Sequence, residues 1–264
     1  MQRNDDLKKI YDQAYAGGKS YASDAGSFFT FPTDDVTRFV IENVEFSGKT
    51  VLEVGCGTGD TAAAIARVGA ARVLAIDYAD EAIKGCRSRH QASNLTFEVQ
   101  DFHMLEGTFD VVLLQEVIEH LDDPEQAIVD LMERVAPGGK LVVTCPNFTN
   151  LRGYVWMTLQ VLLQVPMSLT DLHFLSPFDF EQIARTHDLS LEWATFGHDR
   201  VYSEKLIVDM RKRLTNALRD AKLDNSRVPQ FMDWLSQVLT IDNQETRFNG
   251  GKGFYVFSRP QAGH

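Results

Sequence analysis

From Lys49 onward, short apolar runs rich in β-branched residues alternate with stretches of helical composition. The runs are 50–54 (TVLEV), 72–77 (RVLAID), 95–100 (LTFEVQ), 110–114 (DVVLL) and 140–144 (KLVVT). Near-continuous apolar strands separated by helix-length segments predict a parallel sheet with helices on both faces. The crossovers are expected at Asp60–Val68 and Asp80–His90. A further helix is expected over Glu125–Val135, with Ala127, Ile128, Leu131 and Val135 on one side and Pro137-Gly138-Gly139 as its stop. Ser176-Pro177 has the form of an N-cap followed by proline at the first helical position, with Phe180, Ile183 and Ala184 as the buried side. Runs at Ser190–Phe196 and Gly253–Ser258 complete a seven-stranded set.

Between those last two strands, Ile207, Met210, Leu214, Ala217 and Ala221 recur at helical spacing, and Val228, Phe231, Met232, Leu235, Val238 and Leu239 do so again. They predict an inserted pair of amphipathic helices. The expected organisation is an N-terminal helical cover over 1–48, a Rossmann-like α/β core over 49–200, a helical insertion on the substrate side over 201–250, and the last strand and tail over 251–264.

Composition changes this picture little: 264 residues with 44% apolar and 24% charged positions suit an ordinary globular protein. Charge narrows the function. A net charge of -11 argues against a phosphate-backbone partner, and Arg211-Lys212-Arg213 is too brief a basic cluster to reverse that. Three cysteines without a CxxC pair suggest neither a disulfide framework nor a thiolate zinc site, and they fit a reducing, cytoplasmic setting. The charged N-terminus lacks a secretory pattern, and the greasiest segment, Val155–Leu169, is too short and too interrupted to span a bilayer. Peripheral membrane contact and the oligomeric state stay open.

The chemistry concentrates where strands end. Glu53-Val-Gly55-Cys56-Gly57-Thr-Gly59 carries a buried strand into glycines and then a helix, a turn that brings bare backbone amides close to a ligand. Asp77 ends the second strand, where dinucleotide-type folds place a carboxylate for ribose hydroxyls, and Asp101 follows the third. Cys56 has nothing basic beside it in sequence to make a reactive thiolate, so its expected contribution is its backbone amide.

The E-x-G-x-G-x-G pattern resembles motif I of class I S-adenosylmethionine-dependent methyltransferases, whereas nicotinamide enzymes typically carry G-x-G-x-x-G. By order of elements the resemblance covers about residues 49–196, with Asp77-Tyr78, Gln100-Asp101-Phe102, Gln115-Glu116 and Pro137-Gly138-Gly139 in matching places. It implies S-adenosylmethionine as cofactor, with Glu53, Cys56 and Gln115 on the cofactor side and Gly55, Gly57 and Gly59 bordering the methionine part. It further implies Asp77 at the ribose, Tyr78 and Phe102 on the adenine faces, and Asp101 at the adenine edge. Related enzymes cover the methionine end with an N-terminal aromatic, for which Tyr11 and Tyr21 are the candidates.

After the fourth strand, Gln115-Glu116-Val-Ile-Glu119-His120 reaches the carboxyl edge where α/β sheets bind ligands. If helical, Glu116, Glu119 and His120 share a face at i, i+3 and i+4 and offer a divalent cation such as Mg two carboxylates and an imidazole. His120 as a metal-free base or substrate contact, with Glu116 as a second catalytic candidate, and a purely structural cluster are the alternatives. The E-x-x-E-H string resembles the metal-binding motif of the ubiquinone-biosynthesis O-methyltransferases and of the small-RNA 2′-O-methyltransferases. Both need a further ligand after the fifth strand, for which His173, or Asp171 in its place, is available. The expected function is methyl transfer to a small-molecule acceptor, through a hydroxyl oxygen. RNA 2′-O-methylation, a cofactor-binding protein without turnover, and a nicotinamide-dependent oxidoreductase are the competing readings.

Overall fold

The computed structural model describes residues 33–168, 171–241 and 244–260. Helix α1 (Thr33–Asn43) precedes β1 (Thr50–Val54), α2 (Asp60–Arg67), β2 (Arg72–Asp77), α3 (Asp80–Arg89), β3 (Leu95–Val99) and β4 (Phe109–Gln115). Then follow α4 (Pro124–Met132), β5 (Val135–Pro146), α5 (Leu151–Met157), α6 (Pro177–Thr186) and β6 (Ser190–Phe196). The chain closes with α7 (His198–Val201), α8 (Glu204–Asp220), α9 (Val228–Val238) and β7 (Lys252–Ser258).

The seven strands form one sheet in the order β3-β2-β1-β4-β5-β7-β6. All pairings are parallel except those of β7, which runs antiparallel to β5 and to β6. The chain therefore leaves β1 in one direction to build β2 and β3 and returns to its other side with β4. This reversal opens a crevice at the carboxyl ends of β1 and β4, the place where such sheets bind ligands.

Both faces are covered, which is why the strands read as unbroken apolar runs. One face packs Val51, Val73, Val111 and Val142 against Val36 and Val40 of α1, Ile65 of α2 and Ile83 of α3. The other packs Leu52, Val112, Leu114 and Val143 against Ile128 and Leu131 of α4 and Phe180 and Ile183 of α6. The N-cap of α6 is a capping box, Ser176 and Asp179 each satisfying the other's backbone amide, as the serine and proline led one to expect.

The expected helix over Glu125–Val135 is shorter. It starts at Pro124 behind an Asp123 cap and ends at Met132, and Val135 opens β5 opposite Phe109. A buried β-branched residue with a strand partner outweighs its match to the helical pattern. Pro137-Gly138-Gly139 accordingly lies inside β5, where the register against β4 shifts between Phe109 and Val111, and is not a helix stop.

The two inserted helices are present as α8 and α9. With α5 they enclose a third apolar cluster, containing Trp156, Met210, Leu214, Met232 and Leu235. The greasiest segment divides: Trp156, Val165 and Met167 are buried, whereas Val161, Leu162 and Leu163 at the end of a π-type turn are exposed. Among the described residues no helix is long and apolar enough to cross a membrane. Tyr11 and Tyr21 lie outside the described residues.

Candidate functional site

The β1–α2 turn is left-handed at all three glycines, with Gly55 at φ 70, Gly57 at φ 50 and Gly59 at φ 78. Two of them are also required by space. A Cβ on Gly55 would lie 2.6 Å from Val117 Cγ2, and one on Gly59 would lie 2.8 Å from both Cys86 Sγ and Phe97 Cε1. Gly55 thus lets the turn touch the segment after β4, and Gly59 lets α2 approach α3 and β3.

The expectation of bare amides needs correction. Gly55 N and Cys56 N both donate to the Ile76 carbonyl, at 2.8 and 3.0 Å, and Gly59 N donates to Cys56 O at 2.8 Å. Gly57 N donates to Asp77 Oδ2 at 3.0 Å. A turn docked this closely on β2 satisfies its donors internally, leaving its outer surface for a ligand.

Asp77 is correspondingly more than a group at a strand end. It is buried, and its second oxygen accepts from Ala79 N at 2.9 Å, so one carboxylate fixes the glycine turn and the start of α3 together. Glu53, also buried, receives a backbone hydrogen bond from Ala62 in the first turn of α2, an amide that the helix itself cannot satisfy. Its Oε2 has no hydrogen-bond partner among the described residues. Burial, reinforced by Cys86, Asp77 and Asp60, pushes the Glu53 carboxyl up to about 8. Cys56 is buried beside Cys86, and the hydrogen bond between the two thiols, followed by burial, raises Cys56 well above the ordinary thiol range. That suits the structural role expected of it.

Gln115 closes the inner end of the crevice. Its Nε2 donates to Thr37 Oγ1 at 3.2 Å, Thr37 and Thr61 share a 2.7 Å hydroxyl contact, and Gln115 Oε1 is buried with no hydrogen-bond partner among the described residues. Thr37 is a link that sequence reading missed, since nothing local distinguishes it from other helix threonines. On the β2–β3 side, Tyr78 is exposed, Asp101 caps a short turn by accepting from His103 N at 3.0 Å, and Phe102 lies half-buried against the core. The residues present fit a nucleoside-bearing cofactor: two buried oxygens await donors, and acids stand at the ends of β2 and β3.

The segment after β4 is not the expected helix. Glu116 takes a left-handed conformation at φ 59, and only Ile118–His120 form a single 3-10 turn. Glu116 N donates to the Thr144 carbonyl at 2.9 Å, extending the β4–β5 ladder by one residue, and the left-handed turn that follows prevents an α-helix from starting here. The three side chains consequently part. Glu116 forms an ion pair with Lys252 and accepts from Thr144 Oγ1 at 3.2 Å. Glu119 is buried, and burial, with Asp171 adding, raises its carboxyl well above the usual range. His120 turns its Nδ1 toward Asp171 Oδ1 at 3.7 Å.

His173 meets this segment through its backbone, its N–H donating to Glu119 O at 3.1 Å. Among the described residues no three His, Cys, Asp or Glu side chains are grouped to hold a metal ion, so Glu116, Glu119, His120 and His173 are not gathered into the divalent site, one of the three alternatives. Lys252 had no sequence signal, because only the antiparallel return of β7 brings it to this edge.

Strand order, the antiparallel seventh strand and acids at successive strand ends define the class I S-adenosylmethionine-dependent methyltransferase fold. Residues 45–187, more than half the chain, match the family described as methyltransferase domain, and the chain belongs to that family. Over 167 residues it is 34% identical to the mitochondrial ubiquinone biosynthesis O-methyltransferase of Schizosaccharomyces pombe, an alignment covering 60% of this chain and 57% of that protein. The chain thus spans little more than half the length of that relative.

Among solved structures it resembles a chain from the complex between the Haloferax volcanii Trm112 methyltransferase activator and a methyltransferase. The TM-score is 0.61 at 18% identity, covering 95% of this chain and 98% of that one. It also resembles magnesium protoporphyrin IX methyltransferase from Synechocystis with bound S-adenosylhomocysteine, with a TM-score of 0.52 at 16% identity over 86% and 81% of the two chains.

Proposed function

We propose that this chain transfers a methyl group from S-adenosylmethionine to a hydroxyl oxygen of a small molecule. The observation that carries the reading is Asp77 bound to Gly57 and Ala79, which fixes a carboxylate and a glycine turn on one edge of the crevice. The sequence likeness to ubiquinone biosynthesis O-methyltransferases favours oxygen as the acceptor atom. The acidic surface favours a small acceptor over RNA.

The cofactor supplies an activated methyl on a sulfonium with a good leaving group, so the protein has to align, exclude water and take a proton. Glu53, the three glycines, Cys56 and Gln115 shape the methionine end. Asp77 holds the ribose, with Tyr78, Asp101 and Phe102 around the adenine. His120 at the carboxyl edge receives the acceptor's hydroxyl proton, and Asp171 steadies the imidazolium that results.

The test is calorimetry with S-adenosylhomocysteine and with NAD, followed by transfer of labelled methyl to a panel of phenols, sugars and amines. Binding of S-adenosylhomocysteine alone, with label recovered on oxygen, is the expected result. Binding of NAD alone, or label confined to nitrogen, refutes the reading.

A further inference from the structure

The post-β4 segment holds a pairing that neither the sequence pattern nor the family likeness announces. Lys252 opens β7 opposite Pro146 at the end of β5 and Phe196 at the end of β6, which sets it at the carboxyl edge of the sheet. Its side chain is 11% exposed, and its ammonium contacts one oxygen of Glu116 while Thr144 Oγ1 donates to the other. Glu116 makes this contact from a left-handed conformation at φ 59, a backbone state uncommon for a glutamate. The next residue, Val117, lies against Gly55 of the cofactor turn. A cation therefore holds the first carboxylate of the metal-type string, one residue before the valine that packs on the cofactor turn.

We propose that Lys252 is the resident cation of the acceptor site, occupying the Glu116 carboxylate that would otherwise serve a divalent ion and presenting positive charge to the acceptor oxygen. This rests on the O-methyl-transfer reading above. A hydroxyl becomes a better nucleophile as it loses its proton, and a nearby positive charge favours the oxyanion, the service a metal performs in metal-assisted transfer. The acceptor class this favours is an acidic hydroxyl, a phenol or an enol. The hydroxyl proton leaves to His120, the oxygen forms the new bond to the methyl carbon, and the bond from that carbon to sulfur breaks. Burial draws Lys252 down to about 7, and its ammonium stands in ion-pair contact with the Glu116 carboxylate.

The experiment uses the full chain loaded with S-adenosylhomocysteine and reads manganese binding by electron paramagnetic resonance. No stoichiometric manganese is expected to bind. One ion per chain, lost in Glu116→Gln, overturns the inference. In chelator-treated protein, Lys252→Met is expected to lower kcat for a phenolic acceptor by about 100-fold, the scale of one lost charge-stabilising group. KM for S-adenosylmethionine should hold and Lys252→Arg should retain part of the rate. Wild-type turnover in Lys252→Met also overturns the inference. Failure of the unaltered chain to bind S-adenosylhomocysteine would sink the methyl-transfer reading itself, and manganese binding measured on that ligand-free chain still decides the role of Lys252.

Discussion

Gly55 and Asp77 carry the tightest constraints in the crevice, and they fail in different ways. Alanine at Gly55 has to adopt a φ of 70 and push Val117 aside from 2.6 Å, so Gly55→Ala is expected to lose about 1–3 kcal/mol of stability from backbone strain alone. Urea denaturation of the ligand-free protein measures it. Asp77→Ala removes hydrogen bonds to two backbone amides as well as the proposed ribose partner. S-adenosylhomocysteine affinity should fall by about 1.5–3 kcal/mol by calorimetry. A carboxylate that met only the ribose would leave the ligand-free protein as stable as before. Here the unfolding midpoint should fall without any ligand, and an unchanged midpoint would show that the glycine turn holds itself.

At the scale of elements, most of the fold is legible because its strands are buried on both faces and its helices on one, which writes two different periods into the chain. The misreadings share one cause: a distant backbone partner overrode a local pattern. Val135 looks helical until Phe109 pairs with it, and Glu116-Val-Ile-Glu119-His120 has helical spacing until Glu116 extends the ladder to Thr144 and turns left-handed. The inserted helices were legible from their apolar stripe, but their buried charge was not. Asp209 on α8 is fully buried, accepts from Arg213 Nη2 at 3.2 Å and faces Arg152 Nε at 3.7 Å. Both guanidinium carbons lie 4.4 Å from the centre of the Trp156 ring. Burial pulls Arg152 down to about 10, with Asp209 opposing. Removing the shared carboxylate leaves two cations against one another in an apolar cluster, so Asp209→Ala should cost about 3–5 kcal/mol. A loss under about 1 kcal/mol, the scale of a surface ion pair, would mean that water reaches these groups.

For the whole molecule, the buried acids at the sheet's carboxyl edge fix how stability responds to pH. Glu53 is raised to about 8 and Glu119 is raised well above its ordinary value, each chiefly by burial. Between pH 5 and 7 the folded chain therefore holds a proton on Glu53 that the unfolded chain has released, and the upward shift of Glu119 acts in the same direction. Stability must then fall as pH rises, each fully protonated acid contributing up to about 1.4 kcal/mol per pH unit. Asp110 and Lys252, two of the other shifted groups, act outside this window. Asp110 is lowered by its hydrogen bonds to Thr50, and its stabilisation is lost only as pH drops through the acid range. Lys252, lowered to about 7, adds stability with rising pH only above that point, where its unfolded form is still protonated. A net charge of -11 adds self-repulsion in the same direction as the two glutamates. Denaturant unfolding at pH 5, 6 and 7 should show a steady decline, and Glu53→Gln should flatten it by removing one of the two titrations. Stability that climbs across this window would mean that both carboxyls are ionised in the folded chain, and the cofactor end of the crevice would then carry negative charge in place of neutral acids.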